Sequence, residues 1–418
     1  MWPITKHGII GRMVDDAKPD PQKAGFDAPR LGRITQYLSR LVGEGKIAGA
    51  AALVIHDSEV AYREYVGFMD VEAKTPIKAD TIYRVFSMSK PITCAAALGL
   101  WERGLFGLDD PLDSYLPAFR SARVFVSAKN GRVVTTPARQ RLTIRHLFTH
   151  TSGMIYPSPD TEIGRIWDAA FQKTRGDKPG ATTGDVVEAT ASLPLAFEPG
   201  SRWAYGFSHD VLGGLVEVLS GKSLGSYLHD EIFAPLQMTD TGFFAAAENA
   251  GRIATLYEVN PAGGMKVVSR SEDVTSVPAF ESGGAGLVST LGDYTRFCLA
   301  LLGSKALSGA SSVGAILSPR TIAMMATDQL TPSQRPDFSW DTQRGYGFGL
   351  GVRVMIDPAR GGRLGSVGEF GWDGKASTWM CVDPAQRLVA VLMLQLIPNG
   401  SYSIAERFQR MMYAAMLT

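Results

Sequence analysis

The chain has 418 residues, 45% of them hydrophobic, with Lys+Arg 42 against Asp+Glu 41. Such a length allows about two domains, or one large domain with an insertion, around a sizeable core. The near-zero net charge, without a basic stripe or an acidic tail, argues against nucleic acid and anionic membranes as partners.

Cys94, Cys298 and Cys381 are odd in number and far apart. With no disulfide framework and no C-x-x-C, they fit a reducing compartment. Residues 1–20 carry no continuous apolar h-region, and no apolar run reaches about 18 residues. The expected location is therefore cytoplasmic, with no membrane span.

In chain order, residues 1–24 read as a polar extension. Leu31, Ile34, Tyr37, Leu38, Leu41 and Val42 follow the helical period, with Pro29 in the first turn. Ala50 to Ile55 and Val60 to Val66 read as strands around the polar turn His56–Glu59. Ser87 to Leu105 reads as a buried helix. Val124–Val126 and Val133–Val134 suggest a hairpin with an Asn130-Gly131 turn. Thr143 to Thr149 suggests a short helix capped by Thr143. Residues 172–184 are polar and Gly-rich and read as a loop. Further helices are expected at about 184–193, 208–220 and 223–232. Gly283 to Ser289 reads as a strand entered through glycines, and Thr290-x-x-Asp293 opens a helix reaching about Leu302. Gly347 to Val354, Ala376 to Val382 and Leu388 to Leu394 read as strands. Ser403-x-x-Glu406 reads as a capping box for a last amphipathic helix bearing Ile404, Phe408, Met411, Met412 and Ala415.

Strands at both ends and helices between them point to an α+β fold. One antiparallel sheet is built from both ends of the chain, flanked by the terminal helices, with a mostly helical region inserted. The division expected is 25–86 with 285–418 for the sheet domain and 87–284 for the helical one. The cleft between them is the natural site.

Three elements in that order carry chemistry. In Ser87-Met88-Ser89-Lys90, a serine and a lysine three apart at a helix start share one face. The serine lies near unpaired helix N–H groups, where a developing oxyanion is favoured. A desolvated lysine can shed its proton near neutral pH and take that of the serine. A capping serine and a surface lysine would give the same four residues, so the context decides. Tyr205 follows a turn-forming stretch and precedes a helix, a place from which a phenol can project into a cleft as a base. Trp372-Asp373-Gly374-Lys375 leads into a strand, where glycine lets backbone approach a ligand closely.

The order S-x-x-K, tyrosine, glycine-rich strand entry resembles the serine β-lactamase and penicillin-binding-protein superfamily. Within it the chain most resembles the class C β-lactamase-like esterases, the family VIII carboxylesterases. Tyr83-Arg84-Val85-Phe86, Gly107–Pro111, Leu142 to Gly153, Phe197-Glu198-Pro199-Gly200 and Asp210–Gly213 belong to the same pattern, over roughly residues 25 to 415. The resemblance implies a β-lactamase/transpeptidase-like fold, no cofactor, and a small-molecule ester as substrate. It implies Ser87 as nucleophile, with Lys90 and Tyr205 as proton acceptors. The backbone N–H groups of Ser87 and Lys375 would form the oxyanion hole, and Trp372-Asp373-Gly374 would stand where the superfamily has K-T-G. Phe207 stands where β-lactamases carry Asn, and Trp372 where they carry Lys. An aromatic pair suits an apolar acyl or alcohol group, so short-chain esters are expected over β-lactams. The alternatives are β-lactam, amide or D-amino-acid peptide hydrolysis, acyl transfer, or a silent penicillin-recognition binding fold. His146 and His150, four apart, lack a third ligand, so no metal site is expected. His209 reads as a packed or exposed histidine. The α/β-hydrolase elbow G-x-S-x-G is absent. The oligomeric state is not legible.

Overall fold

The computed structural model describes residue 14 and residues 17–417 apart from 130–131, 179 and 304–314. Most of the expected 1–24 extension and the Asn130-Gly131 turn therefore lie outside the described residues.

Helix α1 (Ala28–Gly43) starts at Asp27, whose side chain accepts from the Arg30 N–H, with Pro29 in its first turn. Strands β1 (Gly49–His56) and β2 (Glu59–Asp70) form a hairpin across Asp57-Ser58, both at positive φ. β3 (Thr75–Pro76) closes that edge. β4 (Tyr346–Phe348), β5 (Arg353–Met355), β6 (Phe370–Asp373), β7 (Trp379–Asp383) and β8 (Leu388–Met393) complete one antiparallel sheet. Its order is β4-β5-β6-β7-β8-β1-β2-β3, so β1 pairs with a strand more than 300 residues away.

Every residue of β1 is buried. Ala51, Leu53 and Ile55 face one core, while Ala50, Ala52 and Val54 face another, as the two-residue period requires. The second core is closed by α1 and by α8 (Ile404–Tyr413), through Leu31, Leu38, Phe408 and Met412. The first is closed by α7 (Leu291–Leu302), capped by Thr290, and by the helical region. That region includes α2 (Ser89–Glu102), α3 (Ile144–Phe148), α4 (Glu162–Asp177), α5 (Thr183–Ala191) and α6 (Ser208–Ser220). No helix among the described residues is long and apolar enough to cross a membrane.

Four local expectations differ from the structure. Residues 172–177, expected in a loop, finish α4, whose Trp167 is fully buried. Gly347 to Val354 is a hairpin, β4 and β5, because Gly351 sits at φ 87 beside Cys94, where a Cβ would lie 2.3 Å from its sulfur. Ser403 does not cap α8: it is left-handed (φ 50) and makes no side-chain cap bond. Of the expected strand Gly283 to Ser289 only Val288 and Ser289 are extended, in a strand Val288–Thr290 that pairs with Ile82–Arg84.

Candidate active site

Ser87 sits in a 3-10 turn, Phe86–Met88, directly before α2. The turn is held at both ends. Val85 N–H donates to Leu287 O at 3.1 Å, and Tyr294 OH donates to Met88 O at 2.7 Å. Ser89 Oγ donates to Phe86 O at 2.7 Å and accepts from Leu287 N–H at 3.0 Å. Phe86 adopts φ 44, a strained backbone for a bulky residue. Over-determined turns that keep such strain cluster at functional sites.

One helical turn on, Lys90 is fully buried. Its Nζ donates to Ser87 Oγ at 3.2 Å, Tyr156 OH at 3.0 Å and Gly284 O at 2.6 Å. Three oxygens match the three donors of an ammonium. Burial is the largest influence and works against the charge; Tyr156, Tyr205 and Asp210 work for it, and the net direction is upward. Desolvation, which the sequence led us to expect, is thus opposed here by groups that hold the proton on Lys90. Asp210, at the start of α6, accepts from Ser282 Oγ at 2.5 Å and from Gly284 N–H at 3.1 Å. Gly284 thus stands between the acid, which its N–H meets, and the lysine, which its carbonyl meets, and a Cβ on Gly284 would stand 2.5 Å from Asp210 Oδ2.

Tyr205 lies in the loop before α6. Lys90 Nζ stands 4.5 Å from its ring centroid, and Trp372 Nε1–H donates to its hydroxyl at 3.1 Å. Trp203, Trp340 and Trp372 surround the phenol. Gly206 lets this loop meet the 154–156 segment, since a Cβ there would be 2.1 Å from Met154 O. That approach brings Tyr156 within 5.3 Å of Tyr205, ring to ring. Burial pushes the Tyr156 phenol up, so it rests neutral. The sequence reading missed Tyr156. It lies three residues past a quoted motif, and only the Gly206 contact reveals its place.

Trp372 leaves β6 toward Tyr205, but Asp373 leaves the opposite face. Its carboxylate is paired with buried Arg353 and accepts from Gln343 Nε2 at 3.0 Å. Asp373 thus ties this strand to Arg353 and to Gln343. Gly374 meets the nucleophile turn: a Cβ on it would be 2.4 Å from Val85 O, to which Thr378 Oγ1 donates at 3.3 Å. Lys375 follows with an exposed side chain. Phe207 stacks on Phe171 at 4.1 Å and meets Tyr156 edge-on at 4.8 Å.

The histidines are structural neighbours of this site. His146 Nδ1 accepts from Thr143 N–H, capping α3, and burial lowers its pKa to about 4. His150 and His209 lie with ring centroids 4.2 Å apart, tilted by 42°, and burial keeps both neutral. Among the described residues no three His, Cys, Asp or Glu side chains gather as a metal site.

The Beta-lactamase family model matches residues 34–410. The chain belongs to the β-lactamase family. Esterase EstB of Burkholderia gladioli is 30% identical over 405 residues, covering 92% of this chain and 95% of that protein. Protein Rv1367c of Mycobacterium tuberculosis is 33% identical over 368 residues, covering 86% and 89%. The solved structure of simvastatin synthase (LovD) from Aspergillus terreus superposes with a TM-score of 0.79 at 25% identity, over 93% of this chain and 99% of that one. The fold is thus β-lactamase/transpeptidase-like, and these β-lactamase-family relatives support serine hydrolase activity.

Proposed function

We propose that this β-lactamase-family protein is a serine carboxylesterase of the family VIII type, acting through an acyl-enzyme on Ser87. The carrying observation is the short line Ser87 Oγ, Lys90 Nζ, Tyr156 OH, with Tyr205 over the same ammonium. In this reading Lys90 in its neutral form, together with Tyr205, takes the proton as Ser87 attacks the ester carbonyl, and then returns it to the leaving alcohol. Water, activated by the same pair, cleaves the acyl-enzyme. The N–H groups of Ser87 and Lys375 hold the oxyanion, each worth ~10²–10³ in turnover. The Val85–Gly374 approach supports that pairing by setting the two segments side by side.

The ester class rests on the residues at the two departures from the β-lactamase pattern. Phe207 and Trp372 offer aromatic faces where an amide or carboxylate would need Asn and Lys. The likeness to Esterase EstB supports the same class. Short acyl chains are the first substrates to try, and a cytoplasmic location goes with this reading. The test is parallel hydrolysis of p-nitrophenyl butyrate and a chromogenic cephalosporin, with Ser87→Ala as control. Ester turnover should exceed cephalosporin turnover and vanish in Ser87→Ala. Turnover retained by that variant would refute the assignment.

A further inference from the structure

Beside the candidate site lies a cavity of about 470 Å³, walled by Phe171, Phe207, Phe280, Pro157, Val186 and Ala279. That volume is within the range of small-molecule sites, and its lining is mainly apolar with few polar groups. Three of its walls are phenyl rings. Phe171 and Phe207 lie nearly parallel at 11° and are backed by Trp167, which stacks on Phe207 at 13°. Trp167 is locked by burial and by its Nε1–H bond to Pro194 O at 3.0 Å. A stack backed in this way offers flat, fixed faces instead of a deformable aliphatic surface.

The cavity shares a wall with the candidate site through Phe207. Phe207 lines it and touches Tyr156, Tyr156 OH bonds Lys90, and Lys90 bonds Ser87 Oγ. The polar groups of the lining are Asp168, Gln172 and Lys178, and the first two are exposed. Lys178, which also lines the cavity, is paired with Asp185 at 2.8 Å, so it is not a free cation awaiting a carboxylate.

We infer that the site takes esters carrying a planar aromatic ring on the acyl side or the alcohol side, and that this cavity holds the ring. The inference rests on the serine esterase reading above and adds the substrate class to it. The ring slides against Phe171 and Phe207 in offset or edge-on contact, while the ester carbonyl remains at Ser87. A short aliphatic ester leaves the cavity unfilled and forgoes that binding.

The test uses the full chain and three esters read by acid release: ethyl butyrate, which carries no ring, ethyl 4-phenylbutyrate for the acyl side and phenethyl butyrate for the alcohol side. Ala279 is exposed and Ala181 half-buried, so Ala279→Trp and Ala181→Trp fill the cavity without disturbing a core. The wild type should favour at least one ring-bearing ester over its aliphatic counterpart by tenfold or more in kcat/KM. Both variants should erase that preference and leave ethyl butyrate within about twofold. Equal turnover of ringed and aliphatic esters in the wild type would overturn the inference, as would a preference that survives both variants. Ser87→Ala separates the two levels. If it keeps turnover of every ester, the esterase reading itself fails. If it is inactive while the wild type shows no ring preference, only the cavity assignment fails.

Discussion

Two fully buried cations, Lys90 and Arg353, are treated differently by this fold. Arg353 receives a carboxylate directly from Asp373, donates to Met380 O at 3.0 Å, and lies over the rings of Tyr346 and Trp379. Lys90 receives only neutral oxygens and meets its buried acid through a peptide. A paired guanidinium with a high intrinsic pKa is a fixture. An ammonium held by a hydroxyl, a phenol and a carbonyl can trade its proton with the two hydroxyls around it. The site is thus distinguished from a structural ion pair by its choice of partners, since burial is the same in both.

The comparison breaks most clearly if the two cations are exchanged for methionine. Arg353→Met strands the Asp373 charge and should cost ~3–5 kcal/mol of stability, read by urea unfolding. Lys90→Met leaves no carboxylate stranded in direct contact. It should fold near wild-type stability yet lose ester turnover by ~10³ or more. A Lys90→Met protein that unfolds as readily as Arg353→Met would make Lys90 a structural cation as well.

A finer test concerns Asp210. Burial opposes the Lys90 charge while the tyrosines and Asp210 sustain it. Removing the acid lowers the affinity of Lys90 for its proton, so its neutral form appears at lower pH. In Asp210→Asn the acid limb of kcat/KM should move down by about one pH unit. An unmoved limb would take Asp210 out of the proton circuit.

The smallest effect expected lies in the sheet, at Glu369. This fully buried carboxyl accepts from Tyr346 OH at 3.1 Å and Gln409 Nε2 at 2.8 Å. Burial raises its pKa from 4.5 to about 7. The folded state therefore holds a proton that the unfolded chain releases. The stability it adds is complete below pH 4.5 and fades as pH rises through about 7. Wild-type Tm should drop by ~2–4 °C between pH 5 and 8 relative to Glu369→Gln. Parallel Tm curves would show that Glu369 is ionised throughout.

The elements legible in the sequence were those whose pattern is local. α1, β1, β2, α6 and α7 follow from periodicity and caps, because one face of each is decided by burial. Ser87, Lys90, Tyr205 and Trp372 were legible as residues worth naming, because S-x-x-K and the glycine-rich strand entry are short and ordered. What escaped depends on distant partners. The end of α4 is polar, and its helix is sustained by Trp167 and Phe171 stacking under Phe207. Tyr156 is placed by Gly206, some fifty residues on. Asp373 alternates with Trp372 on one strand, and its fate was set by Arg353, which no spacing reveals.

The position of β1 bears on how the chain reaches this state. During synthesis, β2 can pair with β1 at once, but the opposite edge of β1 must wait for β8, which emerges more than 300 residues later. Until then a wholly apolar strand has an open edge and an uncovered face, the condition under which intermediates associate wrongly. The intervening helices close mostly local contacts and can form first, whereas the long loop to β8 makes completion of the sheet the slow step. Lys90 on α2 and Ser87 in the turn before it would then be in place before the strand that brings Trp372 and Lys375 exists, so the candidate site is assembled last.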